Sequence, residues 1–109
     1  MKLAEDMGFE ENEFLEILEL FVKTTNSYLN VLQSALEQGD IQKVIEVAHS
    51  IKGAAGSLEL TDIYNIAKGI EMSAREGHLD GLSENIRLIK ERNNLVAEVL
   101  ARSDQEGIL

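Results

Sequence analysis

The sequence of 109 residues contains no proline and no cysteine. Because proline interrupts helices, its absence favours long, continuous ones. Without cysteine the chain can form neither a disulfide framework nor a thiolate metal site, which fits a reducing compartment. The alternation of β-branched and aromatic residues that is typical of strands is also missing. Together these absences favour an all-α protein.

Long apolar runs are missing as well. The N-terminus, MKLAEDMGFE, carries acids where a signal peptide needs an apolar run, and no stretch approaches the length of a membrane span. The formal net charge is −10, and an acidic surface repels the phosphates of nucleic acids. We therefore expect a cytoplasmic protein that binds neither nucleic acid nor a membrane.

Apolar residues recur at steps of three and four, which predicts four long helices. They cover about residues 10–38, 41–58, 62–76 and 82–101, with a short helical turn at residues 2–6 in front. Short connections between long helices force antiparallel neighbours. The expected fold is all-α, an antiparallel up-down-up-down four-helix bundle that forms one domain over residues 1–109. Since the apolar stripes of the four helices are expected to bury one another within one bundle, we expect a monomer.

Each helix has a predicted buried stripe. In the second helix the stripe consists of Ile41, Val44, Ala48, Ile51, Ala55 and Leu58. In the fourth helix Asn93 interrupts the stripe, and we expect it to be a satisfied core polar group or a register device.

The second predicted helix contains two poor helix formers, Gly53 and Gly56, in its interior. A glycine within a helix costs about 1 kcal/mol relative to alanine. At about 100° per residue, His49 lies roughly 130° from the centre of the buried stripe, and both glycines share its face. The pattern predicts an exposed imidazole beside bare backbone that another protein can approach closely. Close packing between helices is the alternative explanation for the glycines.

His49 and Lys52 together suggest phosphoryl chemistry. A neutral imidazole nitrogen is a good nucleophile near physiological pH, and its phosphoramidate is labile enough to pass the group on. Lys52 follows His49 by three residues and can offset part of the new negative charge. The sequence has no phosphate-binding glycine loop, nucleotide site or metal cluster. We therefore expect no cofactor on this chain; an aspartate and Mg²⁺ would come from a partner.

The segment 48–57, AHSIKGAAGS, resembles the signature of histidine phosphotransfer (HPt) domains. The resemblance extends over nearly the whole chain, including the Gly-Asp turn at 39–40 and the segment 70–77. It implies a phosphocarrier in a phosphorelay, without kinase machinery of its own. By resemblance His49 accepts the phosphoryl group, Lys52 supports it, and Gly53 and Gly56 form the docking surface. The implied partners are response-regulator receiver domains or a hybrid sensor kinase.

Three further residues are candidates for the same surface. In several family members a polar residue on the following helix hydrogen-bonds the imidazole, and the matching position is Glu71. A carboxylate replaces the frequent amide here and could repel a phosphoryl group; an ordinary surface acid is the alternative. Lys43 and Lys68 could extend a basic rim around Lys52, or they could be scattered solubility charges.

Three functions from different classes remain. The first and favoured one is the phosphocarrier. The second is the phosphoacceptor domain of a histidine kinase, of the chemotaxis type or a hybrid. The dimerising helical pair of a kinase is disfavoured, because it usually has an acid directly after the histidine and a threonine-proline further on, whereas here Ser50 follows and proline is absent. The third is a non-catalytic helical docking module in which His49 is incidental.

Overall fold

The computed structural model describes residues 11–105, which form four helices joined by short turns. They are α1 (Glu11–Gln38), α2 (Ile41–Ser57), α3 (Thr61–Arg75) and α4 (Leu82–Gln105). Successive helices pack against each other, and α4 returns to pack on α1. The predicted four-helix bundle is confirmed. None of these four helices has an apolar stretch long enough to cross a membrane.

The helix bounds differ from the predicted ones mainly at the C-terminal end. Helix α4 continues to Gln105, four residues past the predicted end at 101, because neither glycine nor proline occurs before Gly107. The predicted turn at residues 2–6 lies outside the described residues.

One cluster of apolar side chains forms the core. Its fully buried members come from all four helices and include Phe14, Leu32, Val44, Ile51, Ile63, Ile70 and Ile89. The predicted stripe of α2 is buried from Val44 to Leu58, but the prediction for Ile41 is wrong, since this residue is 39% exposed. Ile41 is the first residue of α2, and no preceding helical turn helps to cover it.

Asn93 is fully buried between α4 and α1. Its amide nitrogen donates to the carbonyl of Val22 (3.0 Å) and to Oδ1 of Asn26 (3.1 Å). Its own Oδ1 accepts no hydrogen bond from the described residues. The expectation of a core polar group is confirmed, although only the amide nitrogen is satisfied.

Helices α1, α2 and α3 end in the same hydrogen-bonded motif, with a left-handed residue directly after the helix cap. That residue is Gly39 after α1 and Gly77 after α3, but Glu59 after α2, where φ is 58°. In the turn after α2 the N–H of Glu59 donates to the carbonyl of Gly56, and the N–H of Leu60 donates to that of Ala55. This turn sets the approach of α3 to α2 and so places the residues that face each other across these helices.

Because a side chain is strained at positive φ, we expect Glu59→Gly to raise the free energy of unfolding by about 0.5–1 kcal/mol. Urea unfolding followed by circular dichroism measures the change. The matched control is Glu76→Gly at the cap of α3, where φ is −86°. There glycine only adds freedom to the unfolded chain, so the control should lose stability. Equal shifts in the same direction would contradict the proposed strain.

Candidate functional site

His49 lies in the middle of α2 with its imidazole at the protein surface. Its side chain is 62% exposed, and Nδ1 lies 3.1 Å from Oε2 of Glu71 on α3. The exposure that helical phase predicted for His49 is confirmed. The ring is thus reachable from solvent on one side and tied to the next helix on the other.

Glu71 is not a surface acid. The residue is only 3% exposed, so the interpretation as an ordinary surface charge is wrong, and little of the side chain is open to a docking partner. Its position borders the apolar stripe of α3, formed by Ala67, Ile70 and Ala74. The carboxylate therefore lies beneath the imidazole, at the seam between α2 and α3.

Two cations neutralise this carboxylate, one on each oxygen. Nζ of Lys52 lies 2.8 Å from Oε1. Nη2 and Nε of Arg75 donate to Oε2 at 2.7 and 3.2 Å, and this oxygen is also the one that faces His49. Arg75 was not predicted as a site residue. The signal that could have found it is its position four residues after Glu71, where a glutamate and an arginine pair along a helix.

The cations determine the charge of Glu71. The ion pair with Lys52 is the largest influence; burial opposes it, and Arg75 and His49 add to it, so that the pKa of Glu71 is lowered from 4.5 to about 2. At neutral pH the carboxylate is ionised and can only accept hydrogen bonds. Nδ1 of His49 must therefore carry the ring proton, and its N–H donates a hydrogen bond to Oε2. In the neutral ring this leaves the lone pair on Nε2, the nitrogen of a nucleophile or a proton acceptor.

The two glycines of α2 have different surroundings. A Cβ at Gly53 would meet nothing within 4 Å, whereas a Cβ at Gly56 would lie 3.2 Å from Cδ2 of Tyr64 on α3. The packing alternative therefore explains Gly56, because a side chain there would push against the tyrosine ring. Gly53 leaves open space one helical turn from His49.

The other two predicted lysines lie outside the cluster. Nζ of Lys43 lies 3.6 Å from Oε2 of Glu46, with both side chains about half exposed. Lys68 is exposed on α3, three residues before Glu71. Neither forms an ion pair with the Glu71 carboxylate, so the structure does not bring them together with Lys52.

Known proteins are similar to this chain in sequence and in fold. A family model for the Hpt domain matches residues 16–105. The chain belongs to the Hpt domain family. The aerobic respiration control sensor protein ArcB of Escherichia coli O157:H7 is 35% identical to this Hpt domain over 83 residues, and the K12 protein is 34% identical. The alignment covers 76% of this chain but only 11% of either sensor protein, so the chain spans about a tenth of these relatives.

A solved structure supports the same assignment. The histidine-containing phosphotransfer protein HptB of Pseudomonas aeruginosa PAO1 superposes with a TM-score of 0.84 at 28% identity, over 95% of this chain and 90% of that one. The predicted family is confirmed. As an Hpt domain, the chain belongs to a family of histidine phosphotransfer modules in phosphorelay signalling, whose members are phosphocarriers.

The buried carboxylate makes stability depend on pH. Because the pKa of Glu71 is lower in the folded protein than in the unfolded chain, its contribution is present above about pH 4.5 and is lost as the pH falls towards 2. The full contribution is on the order of 3 kcal/mol. Between pH 5 and pH 2 we expect the free energy of unfolding to fall by about 3 kcal/mol more in the wild type than in Glu71→Gln. Urea unfolding at each pH measures the difference. Parallel curves for the two proteins would contradict this assignment.

Proposed function

We propose that His49 accepts a phosphoryl group on Nε2 from an aspartate of one receiver domain and passes it to an aspartate of another. The observation that carries this proposal is the exposed imidazole whose Nδ1 is tied to an ionised, buried carboxylate. That contact fixes the tautomer and the orientation of the ring before a partner arrives, so the nucleophilic nitrogen faces outward.

The transfer needs no proton movement on this chain. The Nε2 lone pair forms a bond to phosphorus while the bond between phosphorus and the aspartyl oxygen breaks, and the aspartate leaves as a carboxylate. The ring keeps its proton on Nδ1 and becomes positively charged. The carboxylate of Glu71, 3.1 Å from Nδ1, stabilises that charge as it develops. In the second transfer the same bonds form and break in reverse order with a new aspartate.

Lys52 is the cation for the phosphoryl group in this proposal. Lys52 lies three residues after His49, on the neighbouring part of the same helix face, and its side chain is 24% exposed. A charge-assisted hydrogen bond from its ammonium group would offset part of the negative charge on the phosphorylated ring. The Mg²⁺ that phosphoryl transfer requires belongs to the receiver domain, along with the aspartate.

The docking surface of the proposal begins at Gly53, where open backbone adjoins the histidine. It continues over the seam between α2 and α1, an apolar depression whose lining includes Phe21, Tyr28 and Ala54. Leu20 at its rim is 64% exposed, the most exposed large apolar side chain described. Because the depression adjoins the open backbone, a receiver domain seated over His49 would cover it. Lys68 could add a positive charge at the α3 side; Lys43 has a carboxylate partner already.

A second candidate function is the phosphoacceptor domain of a larger sensor kinase. The partial coverage of the ArcB sensor proteins favours it. The same nitrogen of His49 would then take its phosphoryl group from a kinase domain that has ATP bound. The two functions differ in the donor, and the source of the phosphoryl group separates them.

The decisive experiment incubates the protein with a prephosphorylated receiver domain and Mg²⁺. We expect an acid-labile, base-stable phosphoryl group on the wild type and none on His49→Gln, because the nucleophile is removed. The matched control is His78→Gln, which changes the other histidine of the chain, also exposed (75%), and should leave transfer intact. Labelling of the His49 variant would refute the proposal. Labelling by a kinase with ATP, but by no receiver, would support the second candidate.

Gly53 allows stability and transfer to be separated. Gly53→Gln should raise the free energy of unfolding by up to about 1 kcal/mol, since the site is open and glycine is a poor helix former. It should also slow transfer by roughly tenfold, because the longer side chain obstructs the partner. The control Gly53→Ala should gain similar stability with little loss of transfer. A Gln variant that transfers at the wild-type rate would remove Gly53 from the docking surface.

A further inference from the structure

The carboxylate beneath His49 creates a charge conflict that the proposed function must resolve. A phosphoryl group on Nε2 brings about two negative charges to a ring that already contacts the negative charge of Glu71. Like charges this close repel each other. Lys52 alone cannot fully serve both groups, because its ammonium group already lies 2.8 Å from Oε1 of Glu71.

We propose that Arg75 is a positioning residue that holds and neutralises Glu71, so that Lys52 can leave the carboxylate for the phosphoryl group. This inference rests on the proposed function. In the unphosphorylated protein Lys52 pairs with Oε1 and Arg75 with Oε2. In the phosphorylated protein Arg75 keeps its place, and Lys52 turns to the new anion.

The geometry divides the two cations in a way that suits these tasks. Arg75 donates two N–H groups to the oxygen that also accepts from His49, and it lies four residues from Glu71 on the same helix. Arg75 can therefore keep its contact with the carboxylate when His49 on α2 is phosphorylated. Lys52 approaches the other oxygen from α2, the helix that carries the histidine. Of the two cations, only Lys52 shares a helix with the phosphoryl site.

Burial explains why a second cation is needed. With its side chain only 4% exposed, Glu71 cannot be solvated when Lys52 departs, and an unpaired buried carboxylate is strongly disfavoured. Without Arg75 the carboxylate would retain Lys52 and deny it to the phosphoryl group. The planar fork of the guanidinium holds an oxygen in a fixed direction.

A double-mutant cycle with Glu71→Gln tests the inference. In the wild-type background we expect Arg75→Gln to lower the initial rate of transfer from a prephosphorylated receiver by about tenfold. In the Glu71→Gln background the same change should alter the rate by less than about twofold, because the amide has no charge to neutralise. The matched control is Arg87→Gln on α4, which removes an arginine about as exposed as Arg75 (57% against 58%). It should leave the rate of transfer unchanged in both backgrounds. Equal losses in both backgrounds would mean that Arg75 contacts the phosphoryl group or the receiver directly, and would overturn the inference.

A measurement on the unphosphorylated protein separates this inference from the proposed function. The ¹³C resonance of the Glu71 carboxyl, followed against pH, should show a raised pKa in Arg75→Gln, and Arg75→Lys should restore part of the difference. If that titration does not move, Arg75 does not neutralise Glu71 and the inference fails, even where the wild type accepts phosphate. If the titration moves but no receiver phosphorylates the wild type, the role of Arg75 on Glu71 stands and the proposed function fails, together with the release of Lys52 that rests on it.

Discussion

The site depends on one interaction, the hydrogen bond between Nδ1 of His49 and the buried carboxylate of Glu71. An ionised carboxylate is stable in such a place only when its oxygens are paired. Lys52 and Arg75 supply that pairing from two different helices. The result is a network in which the ring, the acid and both cations fix one another, so that removing any member changes the environment of the rest. An exposed histidine on a bare helix would have neither a defined tautomer nor a fixed direction.

The bundle contributes the rigidity that this network needs. Helices α2 and α3 are joined by a tight turn at Glu59, whose left-handed backbone lets the N–H groups cap the end of α2. Next to this turn, Gly56 leaves room for the ring of Tyr64. The turn and this close contact set the register of the two helices, and the register brings Glu71 opposite His49. Residues that never touch a partner thus determine where the nucleophilic nitrogen points.

Sequence patterns predicted what lies on a single helix and missed part of what lies between helices. The helical repeat alone fixes the angle between His49, Lys52 and Gly53, so their common face followed from spacing. The burial of Glu71 did not, because a charged residue at the edge of a stripe is usually solvated, and burial is possible only with Lys52 across the seam and Arg75 on the same helix as partners. Arg75 was missed because its spacing from Glu71 along α3 becomes informative only once Glu71 is known to be buried. The packing role of Gly56 could not be predicted either, because it depends on the position of Tyr64 on α3, and spacing along α2 does not give that position.

Buried polarity alone does not mark a functional group in this fold, as Asn93 shows. Asn93 is as inaccessible as Glu71, and it too bridges two helices through hydrogen bonds. Its partners are a carbonyl and an amide, so the network around it contains no group that ionises or attacks. Such a contact can fix the register of α4 against α1 and nothing more. The network around Glu71 differs in that it ends at an exposed imidazole, and the carboxylate therefore acts on a nitrogen that a partner can reach.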